Sequence, residues 1–373
     1  MKKIFSLVLL VAFIVISTIQ PARASTDAVL DIERVAIKTV ENSQAIKLTG
    51  EYVNLMQKAY SGVKSGVDQA KWMVQFVNSY ELLESIVLAP KLMEHELNKT
   101  VREQAVVTNA MRLSAYQSYI NLLKGDYAVK TRSELMSSLY DDYKKIRTQQ
   151  EQGMAAESEV RLAEIAFEQA RYNYLNAQNS MDSSYMTINQ MMGEPLSKKY
   201  SALKDNNIIP AQKIGSLEDY IAKALTNRVE ILNAQGDLDG KKEQLIYGLV
   251  KSPIGSEFYE QEQEYEIEKA ENQLELSKIN VQMNITDLYT GLEAGMKNLD
   301  AMRHLAKQAE LNYNAALVQY ENSMITLPEL NNVRIAKAEA DINLKNAELD
   351  AWFMQMMMGM ACDLGFQSAN GAA

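Results

Sequence analysis

From Val281 to Tyr320 the chain places uncharged residues at alternating steps of four and three, through Ile285, Leu288, Leu292, Gly295, Leu299, Met302, Ala306, Ala309, Tyr313 and Ala316. A 3.5-residue spacing sustained that far predicts a long helix packed along one seam in coiled-coil fashion. An earlier run from Met111 through Ala115, Leu122, Met136 and Ile146 to Gln150 keeps the same steps, with Arg132 as its one charge. A helix over Glu260–Glu321 would reach roughly 90 Å at 1.5 Å per residue. The pattern then pauses at "NSMITLPEL" within Gln319–Asp341. Pro328 cannot sit deep inside a helix but suits a first turn. The pause therefore predicts a helix, a tight turn, and a second helix starting near Thr326.

The chain also repeats itself. "DIERVAIKTVENSQAI", beginning at Asp31, realigns with "SLEDYIAKALTNRVEI", beginning at Ser216, and Glu33/Glu218, Lys38/Lys223, Asn42/Asn227 and Ile46/Ile231 coincide. Asp31 and Ser216 each precede an apolar residue and read as N-caps, because their side-chain oxygens accept from free N–H groups of a first turn. Further on, Tyr119/Tyr289, Gly125/Gly295, Tyr143/Tyr313, Met154/Met324, Glu159/Glu329 and Asn173/Asn343 coincide at a shorter offset. The pause at 319–330 thus has a partner, "EQGMAAESEV", at 151–160. The change of offset puts about fifteen extra residues in the first copy, before its long helix. The organisation read from this is a leader at 1–24, a first helical repeat at 25–193, a linker at 194–215, a second repeat at 216–365 and a flexible tail at 366–373.

Composition agrees with an all-α chain: six Pro and sixteen Gly among 373 residues leave few helix breakers. The opening "MKKIFSLVLLVAFIVISTIQPARA" has a basic start, an apolar run and an Ala-x-Ala ending at Ala24, the pattern of a cleaved secretory signal. An uncleaved membrane anchor is the other reading of that apolar run, and no later stretch is long enough to span a bilayer as a helix. The leader carries Lys2, Lys3 and Arg23 and no acid, so its removal takes the net charge from −10 to −13. So acidic a chain is unsuited to nucleic acid. Cys362 is the one cysteine, which leaves no intrachain disulfide.

Taken together, the helix starts at Asp31 and Ser216, the turns around Gly153 and Ser323, "ARYNYLNAQ" at 170–178 and "MMG" at 191–193 resemble the TolC family of outer-membrane efflux ducts. The resemblance covers nearly all of residues 30–365. It implies long antiparallel helical hairpins, three protomers closing a twelve-helix α-barrel, and tips that meet a periplasmic adaptor of an inner-membrane pump. The tip positions it implies are Gly153, Met154 and Ala155 in the first copy and Ser323, Met324 and Ile325 in the second. An acidic entrance ring would fall on Glu159 and Glu329. Ser323 stands where the family usually has Gly. A membrane β-hairpin needs strands of about 9–11 alternating residues, and neither 76–97 nor 249–263 offers them. The β-barrel is therefore expected to be missing or vestigial; the expected location is the periplasm or cell envelope, and the outer membrane is implied by the resemblance alone.

Two readings stay open at several positions. Glu159 and Glu329 suit an entrance ring, or stabilisation of the positive end of a helix dipole. Met154 and Met324 suit an adaptable contact surface or simple capping of the bundle. "WFMQMMMGMAC" at 352–362 suits flexible core filling far better than a soft-metal site. His95 and His304 lie on different segments, so no metal or cofactor site is expected. No phosphate loop or nucleophile elbow points to an enzyme. The function read from the chain is a component of an envelope export conduit. The competing reading is a non-conducting envelope protein derived from the same fold.

Overall fold

The structure, a computed structural model, describes residues 29–71, 82, 84–249 and 256–366. The leader at 1–24 lies outside them. Among the described residues there is no β-strand, only an isolated parallel bridge between Leu30 and Leu203. No described helix is long and apolar enough to cross a membrane.

The first half runs α1 (Ile32–Asn42), α2 (Gln44–Ala70), α3 (Ala89–Glu151) and α4 (Glu157–Met192). The second runs α5 (Leu217–Asn227), α6 (Val229–Leu249), α7 (Ser256–Glu321) and α8 (Leu327–Cys362). A π-helical turn, Glu84–Leu88, leads into α3. At 63 and 66 residues, α3 and α7 extend to roughly 95–100 Å. The segments in question for a membrane hairpin are helical at 84–97 and 256–263; residues 72–81, 83 and 250–255 lie outside the described ones.

Matching residues do matching work in the two halves. Asp31 Oδ1 accepts from Arg34 N at 2.8 Å and Ser216 Oγ from Asp219 N at 3.2 Å, so both short helices start as expected. At their far ends, the Asn42 amide donates to Met191 O at 3.2 Å and the Asn227 amide to Cys362 O at 3.2 Å. Each asparagine thereby satisfies a carbonyl of the last turn of a return helix, a group with no partner inside its own helix.

Along the seam of α7 all twelve positions are buried or half-buried. On α3 the same holds from Met111 to Ile146, and only Gln150 emerges. Helix α3 packs on α4 and α7 on α8, while α3 and α8 pack on each other, giving the order α4–α3–α8–α7. Arg132 stays in the seam because it faces a charge: its Nη2 donates to Glu339 of α8 at 3.3 Å. Two further α3–α8 ion pairs, Asp142–Arg334 and Lys124–Asp350, lie on either side of it.

Two cores sit away from the turns. One gathers Leu30, Val35, Tyr116, Tyr119, Ile188 and Leu349. The other gathers Leu238, Leu274, Val281, Ile285, Leu292 and Met358. Helix α8 lies between them, which accounts for its methionines. Met356 and Met360 pack against the first core, while Met354, Met358 and Cys362 serve the second. An apolar helix with cores on two sides needs unbranched fillers that adapt to both. Phe366, placed in the tail by its sequence position, packs against the second core.

Candidate functional site

The turns after α3 and α7 are the same object built twice. Gly153 N–H donates to Gln150 O at 2.9 Å and Met154 N–H to Gln149 O at 2.8 Å; Ser323 to Tyr320 and Met324 to Gln319 repeat these bonds at 2.9 and 2.8 Å. This Schellman closure requires a left-handed residue after the helix. Gly153 has φ +74° and Ser323 φ +58°. Serine thus takes the glycine's conformation and bears its steric cost of about 1–2 kcal/mol. Nothing lies within 4 Å of where a Cβ on Gly153 would sit. Gly153→Ala is therefore expected to lower stability by about 1 kcal/mol and Ser323→Gly to raise it by up to about that much, as read by thermal melts of the two variants.

The six tip residues divide by orientation. Met154 and Met324 are 68% and 72% exposed, large values for apolar side chains. Ala155 and Ile325 turn inward, joining one cluster with Ile146, Ala316, Leu327 and Leu330. The two tips are therefore packed side by side, each presenting its methionine to solvent.

Glu159 and Glu329 lie in the first turns of α4 and α8. Glu159 Oε2 accepts from Ala156 N at 3.2 Å. Glu329 Oε2 accepts from both the N–H and the hydroxyl of Thr326, at 2.7 and 2.8 Å. Those two donors, the backbone one foremost, hold the Glu329 carboxyl below its ordinary range. Both acids are exposed, and both cap a helix start. A groove of about 560 Å³ lies far from the tips, between α3, α6 and α7. Another, of about 530 Å³, runs between α4 and α8 beside the tips, with Met154, Glu159, Leu162, Ile165, Pro328 and Ile335 on its walls.

A feature not read from the sequence lies on the outer helices. On α4, Ala163, Ala170 and Ala177 are buried against the body. Two residues after the first two stand Ile165 and Tyr172, 200° further round the helix and exposed, and Met186 continues the same heptad position. On α7, Leu276, Met283, Leu311 and Val318 recur at multiples of seven and are exposed, away from the buried seam. The signal was present as a second heptad register, but only the order of the helices shows which register is left uncovered.

No family model matches the sequence, and no curated protein matches it. Solved structures do. The chain is similar to CusC, studied in transmembrane channel formation, with a TM-score of 0.68 and 9% identity over 91% of this chain and 94% of that one. The outer membrane protein VceC of Vibrio cholerae gives 0.62 and 12%, over 90% and 97%. The CmeC outer membrane channel of Campylobacter jejuni gives 0.55 and 12%, over 90% and 87%. At these identities the likeness is one of fold. The chain has the helical protomer fold of TolC-like outer-membrane channels, with no strand among its described residues.

Proposed function

We propose that this protein is the conduit subunit of an envelope export system, exported by its leader and assembled as a homotrimer. The observation that carries the reading is the pair of uncovered heptad stripes on α4 and α7. They lie on opposite edges of one protomer, so they join head to tail, and such an interface closes into a ring when the rotation permits. Three copies of a four-helix array make the twelve-helix barrel that the resemblance implies. The repeats at 25–193 and 216–365 then each supply one hairpin, with 194–215 as the linker between them. No chemistry is assigned to the chain, whose relatives in fold are channels.

In this reading the tips dock to a periplasmic adaptor that connects to an inner-membrane pump. Exposed methionines at both tips suit such a contact, because thioether side chains repack against varied surfaces. Glu159 and Glu329 place negative charge at the mouth while capping their helices. The second reading, a non-conducting envelope protein, draws on the helical character of 84–97 and 256–263 where membrane hairpins would be sought.

The test is complementation of a deletion strain. The wild-type gene is expected to restore export, whereas the double variant Met154→Asp, Met324→Asp does not. Each aspartate at a desolvated contact costs about 2 kcal/mol or more, roughly thirtyfold in adaptor affinity. Melting temperature and oligomeric mass stay unchanged, since both side chains are exposed. A deletion strain with intact export of every tested compound favours the non-conducting reading.

A further inference from the structure

Far from the tips, the first turns of α3 approach α6 and bring together three metal-binding side chains. His95 and Glu96 lie on α3, and Asp237 lies on α6, 142 residues from His95 in sequence. One donor atom from each falls within 4.8 Å of the other two. His95 Nε2 is 2.7 Å from Asp237 Oδ1. All three line the groove of about 560 Å³ between α3, α6 and α7. We infer that His95, Glu96 and Asp237 form a binding site for a divalent transition-metal ion of the zinc type, joining the two halves of the chain.

The chemistry of the set supports that class. One imidazole nitrogen and two carboxylate oxygens are ligands zinc accepts together, at about 2.0–2.2 Å. At tetrahedral angles two donors bound at those lengths stand about 3.3–3.6 Å apart, so a metal replacing the proton between Nε2 and Oδ1 requires the 2.7 Å contact to open by about 0.6–0.9 Å. The open groove leaves a fourth position to water. Three ligands with no thiolate disfavour a soft ion such as copper(I).

The surroundings are arranged for the ring. Gly236 stands beneath it: a Cβ there would lie 2.2 Å from His95 Cε1 and 2.4 Å from Nδ1. A glycine inside a helix costs about 1 kcal/mol against alanine, and here it makes room for the imidazole. The nearby cations are largely engaged. Lys241 and Lys269 pair with Glu266 at 3.4 and 3.5 Å, and Lys99 lies 3.5 Å from the other oxygen of Asp237. Histidine spacing could not reveal the site, because its ligands come from two helices in different halves.

Calorimetric titration of the purified, untagged protein with zinc chloride tests the proposal. One saturable zinc per chain is expected. His95→Ala and Asp237→Asn each weaken it about tenfold or more, in the range by which disturbed metal sites lose affinity. Gly236→Ala keeps every ligand yet displaces the ring, and is expected to weaken binding similarly. Glu243→Gln breaks the neighbouring Lys91–Glu243 pair between the same helices and leaves binding unchanged. His304→Ala, the control for the other histidine, also leaves it unchanged. Absence of stoichiometric binding, equal binding in all variants, or loss with His304→Ala would overturn the proposal.

Discussion

Ile165→Glu on α4, or Met283→Glu on α7, is expected to leave a folded protein that no longer assembles, with the trimer replaced by single chains. Both side chains are exposed in the protomer, at 65% and 60%, so neither glutamate disturbs its own helix or the core. In the proposed trimer each would lie in the joint between one copy's α4 and the next copy's α7. An unpaired carboxylate buried there would cost several kcal/mol, and the proposed ring would contain the joint three times. The failure is therefore all or none, although each single contact is modest. Circular dichroism should be indistinguishable between the variants and wild type, while the mass changes. Trimers that persist in both Ile165→Glu and Met283→Glu would show that these stripes are not the joint.

The second large effect is on stability. Leu292 is fully buried in the α7 seam, within the core it shares with Ile285, Leu274 and Met358. Leu292→Ala removes that burial and leaves a cavity between long helices that relax only in part, so a loss of about 2–5 kcal/mol is expected. Leu311 lies on the same helix, and its exposed side chain makes Leu311→Ala nearly neutral in a single protomer, within about 0.5 kcal/mol. Urea unfolding in the Ile165→Glu background separates the two, because there assembly contributes nothing. A similar cost at both positions would mean that the 3.5-residue register assigns the wrong face to the body.

How far the sequence reveals this depends on the range of the interaction. The seams are legible because a heptad is a local regularity, and the buried faces of α3 and α7 follow it closely. The tips are legible because Pro328 permits a helix start and because Met154 and Met324 recur in matching places. Ser323 is partly legible: the repeat aligns it with Gly153, but its positive φ follows from the hydrogen bonds that close the turn. Arg132 reads as a flaw in the seam until Glu339 of α8 is seen opposite it. No regularity of one helix announces a partner from another, and the same holds for His95 and Asp237. Glu159 and Glu329 show a different limit. Their sequence position suits both a capping role and an entrance role, and the hydrogen bonds from Ala156 and Thr326 establish the first without bearing on the second.

In the proposed assembly the two edge stripes close three chains into a ring. Light scattering of the leader-free protein, purified without detergent and followed over a wide concentration range, measures this most directly. A constant mass of three chains is the predicted result. A mass of one chain that persists at the highest concentration would rule that ring out.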